Sequence, residues 1–224
     1  MTERRAWWVL SGIVFALMCY YLPWFTHSTA GFTTNGFDLA EWTSLHPAVR
    51  SSSPAMLTSF LLRVPQWAMI AALALIANRF GDARVRWVLR GMAALLALRF
   101  FPPIDYFSNA RNDPNYRQMM QLFVLSVIAV VTAIGLYRLP GRGQAGVLVA
   151  VLLAGIGSGW TGLSRASVLL DNFEIAVKIG PGFVGFIGLS AVLIMLTVWP
   201  RQREHKVGEA PSSLVTLLDT SGAK

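Results

Sequence analysis

The chain is 224 residues long, 54% hydrophobic and only 13% charged, with a mean hydropathy of +0.53; so much apolar length excludes an ordinary soluble domain and points to a polytopic membrane protein. The formal charge of +8 does not indicate nucleic-acid binding, because the basic residues lie between apolar runs instead of gathering on one soluble face or tail. The single cysteine, Cys19, excludes a disulfide framework and a cysteine-based metal cluster within the chain.

Bilayer crossings need about 20 apolar residues each, and the chain offers six such runs, at 6–24, 55–78, 85–101, 119–137, 145–164 and 181–199. An all-α protein of six helices in three hairpins is therefore expected. The first run follows Arg4 and Arg5 as in a signal peptide, and Ser28-Thr29-Ala30 could pass as a cleavage site. It is nevertheless long enough to span, and Trp7, Trp8, Tyr20, Tyr21 and Trp24 sit at its two ends as interfacial anchors do. A retained membrane anchor is the expectation.

The loop after it, "PWFTHSTAGFTTNGFDLAEWTSLHP", carries a turn signal at Asn35-Gly36. Asp38 and Glu41 have the spacing of an N-cap and its N3 partner, with Phe37 and Trp42 as the hydrophobic staple. A short helix over 39–46, stopped by Pro47, follows. Leu39, Trp42 and Leu45 or His46 would share one face, suited to the headgroup boundary or to a partner. An acid–base role for the two carboxylates is the alternative. Metal binding by His27, His46, Asp38 and Glu41 lacks any tight ligand spacing.

The second run holds Arg63, Pro65 and Gln66 in its outer half. The third is bracketed by Arg90 and Arg99, roughly 14 Å apart at the helical rise, so a short span is expected whose arginines snorkel to the two interfaces. After it, "FFPPI" breaks the helix before Asp105. Arg63, Arg99 and Asp105 are candidates for an outer pocket that binds a quinone or a lipid; the competing reading is arginines paired with lipid phosphate or a loop carboxylate.

In the fifth run Gly155 and Gly159 form a small-xxx-small pair, and Gly182, Gly185 and Gly188 recur every third residue in the sixth. Such stripes let helix backbones approach closely, either within the chain or against another subunit. Between these runs "FEIAVKI" alternates Phe173, Ile175, Val177 and Ile179 with Glu174, Ala176 and Lys178, an extended pattern. The outer loops are expected to pack into a small cap. Residues 200–224 form a polar tail in which Leu214, Val215, Leu217 and Leu218 make one short apolar stripe after Ser212 and Ser213.

With the N-terminus inside, the cytoplasmic segments hold twelve basic and five acidic residues and the outer segments seven and six, the asymmetry of the positive-inside rule. Both termini are then cytoplasmic. No nucleotide loop, nucleophile elbow, zinc-helix motif or covalent haem motif occurs. His27, His46 and His205 all lie outside the apolar runs, so none projects into the bundle as a haem ligand. No catalytic group and no cofactor of the chain's own are expected.

The segments "LPWF…GFDL" and "KIGPGF" resemble those of uncharacterised small polytopic bacterial membrane proteins. At the level of class the chain is similar to accessory membrane subunits of bacterial quinol-oxidising or photosynthetic complexes, such as alternative complex III. That resemblance implies a non-catalytic accessory subunit in the bacterial cytoplasmic membrane, with other integral membrane subunits and the lipid bilayer as partners. A small stand-alone transporter or lipid- and quinone-handling protein is the rival expectation.

Overall fold

The computed structural model describes residues 2–27 and 33–199. Six helices form the bundle: α1 (Glu3–Tyr20), α4 (Leu57–Ala77), α5 (Ala83–Ala97), α6 (Pro114–Gly135), α7 (Gly141–Asp171) and α8 (Pro181–Val198). Two short helices, α2 (Gly36–Leu45) and α3 (Pro47–Arg50), lie in the first long connection. Four segments are long and apolar enough to cross a membrane: α4, α6 with its following turn, α7 and α8, as a membrane protein requires. Glu3, Arg4 and Arg5 open α1, and α5 carries Arg84, Arg86 and Arg90; both helices nevertheless pack alongside α4 in the bundle.

The centre of the bundle is α4, which touches α1, α2, α5, α6 and α7. Its residues from Ala68 to Ala77 are all buried, which explains why it is apolar around its whole circumference. Its most extensive partner is α7. There Gly155, Gly159 and Gly162 face α4, and a Cβ added at Gly162 would stand 3.0 Å from the Leu62 backbone nitrogen. Opposite Gly159 sits Pro65, whose ring cannot donate to the preceding turn. Small residues and a proline thus let the two backbones meet.

Gly182 and Gly185 of α8 pack against the end of α1, at Leu22 and Cys19, whereas a Cβ at Gly188 would meet open space. Four of the five candidate packing glycines are therefore spent inside the chain. They are not available for docking another subunit.

Three short antiparallel strands stitch one end of the bundle in the order β2-β1-β3, where β1 is Pro23–Thr26, β2 is Thr33–Asn35 and β3 is Lys178–Ile179. Phe25 pairs with Thr34 on one side and with Ile179 on the other. The sheet joins the connection after α1 to the one before α8, and with α2 and α3 it makes a cap. The opposite, basal end carries the start of α1 and the turns after α4 and α6.

Several expectations are corrected. The first apolar run leaves the helix at Tyr20, and Tyr20 and Trp24 are fully buried instead of anchoring at an interface. Trp24 packs edge-on to Tyr20 and Phe183, while its indole N–H donates to the Cys19 carbonyl at 3.2 Å. α7 continues to Asp171, so only the last two residues of the alternating "FEIAVKI" pattern become strand. The apolar stripe of the tail and His205 lie outside the described residues.

Gly182→Ala forces a methyl to within 2.5 Å of the Leu22 carbonyl oxygen and is expected to cost about 1–3 kcal/mol, the usual range for overpacking. Gly188→Ala, with open space, is expected to leave stability unchanged or to raise it by up to about 1 kcal/mol through helix propensity. Thermal unfolding of the two variants in one detergent checks both signs.

Candidate functional site

The most conspicuous polar group inside the cap end is Arg63. It lies in the second turn of α4 and is 1% exposed. An isolated buried guanidinium is untenable, and three side chains from two elements satisfy this one. Its Nη2 donates to Glu41 Oε1 of α2 at 2.6 Å and to Asn115 Oδ1 of α6 at 2.9 Å, and its Nη1 donates to Gln118 Oε1 at 2.8 Å. Ser59 Oγ also donates to Gln118 Oε1, at 3.0 Å. Gln118 Nε2 in turn donates to the Met56 carbonyl at 2.9 Å. Met56, the N-cap of α4, holds a left-handed φ of 61°, a region that bulky residues avoid. The Gln118 bond and a second one, from the Met56 N–H to the Val49 carbonyl, keep it there.

Local sequence explains why Glu41 can reach this arginine. The cap of α2 is Asn35, not Asp38: Asn35 Oδ1 accepts from the Asp38 N–H at 2.8 Å, and Asn35 Nδ2 donates to Asp38 Oδ2 at 2.7 Å. Asp38 is therefore the N3 partner of a reciprocal box, the helix starts at Gly36, three residues earlier than the spacing suggested, and Glu41 is released from capping. Phe37 and Trp42 do not staple each other. Phe37 lies by Tyr21 and under Arg99, whereas Trp42 meets His46 and Phe173. The face that α2 buries is Leu39, Ala40, Thr43 and Ser44, with Leu45 exposed. Small residues on that face bring α2 close to α4.

Arg63, Arg99 and Asp105 do not converge. The Arg99 guanidinium stands 4.6 Å from the Phe37 ring centre, a cation–π contact. Asp105 closes a turn with its backbone carbonyl, which accepts from Ser108, Asn109 and Ala110. Among the described residues no hydrogen bond or ion pair joins Asp105 to either arginine. His46 is also structural: its Nδ1 accepts from the Ala48 N–H at 3.2 Å, capping α3, and its ring packs on Phe173. Among the described residues no three His, Cys, Asp or Glu side chains gather as metal ligands.

A second ion pair, Arg50–Asp113, ties the first long connection to the start of α6. Partial burial alone pushes the Asp113 carboxyl up, but Arg50 and the N–H groups of Asn115 and Tyr116 outweigh it and hold the carboxyl below its ordinary range.

The basal end is organised differently. Arg90, expected to snorkel, is instead 9% exposed, and its Nη2 donates to Asn78 Oδ1 at 2.9 Å. Asn78 passes the link on to the Ala133 carbonyl at 2.6 Å. At the same end opens a cavity of about 730 Å³, walled by the ends of α1, α4, α7 and α8 and lined by Arg5, Arg79, Arg142 and Gln144. Sequence reasoning assigned these arginines to topology alone. They come to one cavity from three chain segments far apart in sequence, so no local pattern announced it. Comparison with known protein families, characterised proteins and solved structures finds no match to the chain.

Glu41→Leu leaves Arg63 buried without its carboxylate and is expected to destabilise the chain by about 3 kcal/mol, the low end of the range for an unpaired buried charge, because Glu41 is itself 34% exposed. Arg63→Met combined with Glu41→Leu should recover part of that loss in a double-mutant unfolding cycle. For Asp113 the depressed pKa means that its stabilisation is complete above the ordinary value of 3.8 and is lost as pH falls through the native value. Asp113→Asn should accordingly unfold more easily than the parent near about pH 6, with the gap closing near about pH 3.

Proposed function

We propose that the chain is a multi-pass, non-catalytic subunit of the bacterial cytoplasmic membrane, with the cap outside, the basal end and both termini in the cytoplasm, and other integral membrane proteins as its partners. The observation that carries this reading is the apolar surface left on the cap, outside the spanning helices. Ile104 is 83% exposed, and Leu45, Phe107 and Phe173 are each more than half exposed. Large apolar side chains left exposed outside the spanning helices suit protein or membrane contacts. Four polar side chains at this end are used in holding the chain together: Glu41, Asn115 and Gln118 on Arg63, and Asp113 on Arg50. The cap presents these apolar side chains to a neighbour among exposed polar ones such as Asp105, Glu174 and Lys178.

The class-level similarity to accessory subunits of quinol-oxidising complexes gives the kind of assembly to look for, an electron-transfer complex whose redox groups belong to the partner subunits. A second reading, a stand-alone protein that handles lipid, is favoured by the arginine-lined basal cavity.

Purification of a tagged chain in a gentle detergent, followed by native electrophoresis, mass spectrometry and a visible spectrum, tests the first reading. Co-migration with integral membrane subunits that carry haem or chlorophyll is expected. Ile104→Lys with Phe107→Ser should abolish that co-migration while the chain still inserts in the membrane. A colourless monomer that keeps its integrity through the same steps overturns the reading.

A further inference from the structure

We infer that the basal cavity is a site for an anionic phospholipid, with the phosphate held by Arg5 and Arg142 and a headgroup hydroxyl donated to Gln144. Four observations meet there. First, the cavity is large enough, at about 730 Å³, for a headgroup and the start of its acyl chains, since pockets for small ligands run from about 300 to 1,000 Å³. Second, its walls divide by chemistry. Leu75, Ile76, Leu148 and Val198 supply hydrocarbon, whereas Arg5 and Arg142 supply positive charge, and the described lining includes no carboxylate.

Third, two polar atoms on this wall are buried without partners. Arg5 Nη1 donates to the Trp199 carbonyl at 3.0 Å, but its Nη2 finds no acceptor. Gln144, 6% exposed, donates through Nε2 to the carbonyls of Leu136, Tyr137 and Leu139, the nearest at 2.8 Å, which fixes the orientation of its amide. Its Oε1 is left as an acceptor with no donor. Buried polar groups in folded proteins are almost always bonded, and a guanidinium nitrogen lacking an acceptor and an amide oxygen lacking a donor, on two residues that line one cavity, ask for one ligand that offers both. A phosphodiester that carries a glycerol hydroxyl does so. Fourth, α7 begins at this wall with no side-chain cap on its N-terminus, and the positive end of a 31-residue helix adds to the attraction for phosphate.

Arg79 completes the floor: its Nη2 donates to the Gly141 carbonyl at 2.8 Å, clasping the start of α7 against the end of α4. Basic pockets between membrane helices at the cytoplasmic face are the setting in which anionic headgroups are recognised. The site rests on the membrane reading above for its access to lipid, but not on the docking of the cap to other subunits.

The test uses the full-length chain in a mild nonionic detergent, titrated with phosphatidylglycerol, phosphatidylcholine or inorganic phosphate and followed by native mass spectrometry. One phosphatidylglycerol per chain is expected to survive, with phosphatidylcholine retained at least about tenfold less, because it keeps the phosphate but leaves the buried Gln144 Oε1 without a hydroxyl donor and brings a quaternary ammonium beside the arginines. Arg5→Gln with Arg142→Gln should lower phosphatidylglycerol binding by about tenfold or more, as loss of a charge-assisted contact predicts. Arg138→Gln, an exposed arginine at the same end but outside the cavity lining, should leave it unchanged.

Equal retention of the two lipids by the unaltered chain overturns the proposal, and that comparison needs no variant to fold. Saturation by inorganic phosphate alone overturns it too, in favour of a small-anion site. Failure of the membrane reading shows separately, as release of the chain from vesicles by alkaline carbonate.

Discussion

Burying one positive charge near the top of the central helix dictates how the rest of the cap is arranged. Arg63 cannot be dehydrated alone, and no single element supplies enough acceptors. Glu41 comes from α2, Asn115 and Gln118 from α6. Meeting the guanidinium thus fixes α2 against α4, sets the height of α6 and, through Gln118 and the Met56 carbonyl, determines where α4 begins. A buried ion pair of this kind is poor evidence of net stability, since its desolvation offsets much of the attraction. Its consequence here is geometric, a single way of seating the cap on the bundle.

On the side facing α7 the same helix is held by close packing. α4 meets α7 through glycines on one side and Pro65 and Ala68 on the other, and meets α5 and α6 through its own apolar surface. Dispersion acts over short distances, so removing side chains at the contact raises attraction between backbones where surrounding lipid would offer no hydrophobic drive. The two mechanisms divide the helix by side, with hydrogen-bonded charge toward α2 and α6 and small-residue packing toward α7.

The arginines illustrate how one residue type takes different roles at the two ends. At the cap, Arg63 and Arg50 are paired with carboxylates and Arg99 rests on an aromatic ring. At the base, Arg90 is tied to Asn78, while Arg5 keeps one nitrogen unpartnered beside a cavity. Paired arginines hold structure; those facing a cavity without a carboxylate are the ones able to meet a ligand.

Membrane class and the approximate helices were legible in the sequence, because runs of about 20 apolar residues have few other uses and because Pro47, Pro114 and Pro181 stand close to where helices start or stop. The short helix before Pro47 was also legible. Its cap was misplaced by three residues because Asn35 and Asp38 both qualify as caps, and only the backbone decides which of them accepts an N–H. That choice freed Glu41 for Arg63, a pairing across 22 residues that no local spacing encodes. The glycine stripes announced close approach, but which helix they approach is a property of the bundle. Gln118, Asn115 and Gln144 looked like ordinary polar residues at helix ends, and became part of a charge hub or a cavity wall only when distant segments met. The sequence by itself determined that the chain is apolar enough for a membrane and where its helices lie, since both follow from neighbours along the chain. Tertiary structure alone decided which charges are paired and which face open space, since that depends on which chain segments meet across the bundle.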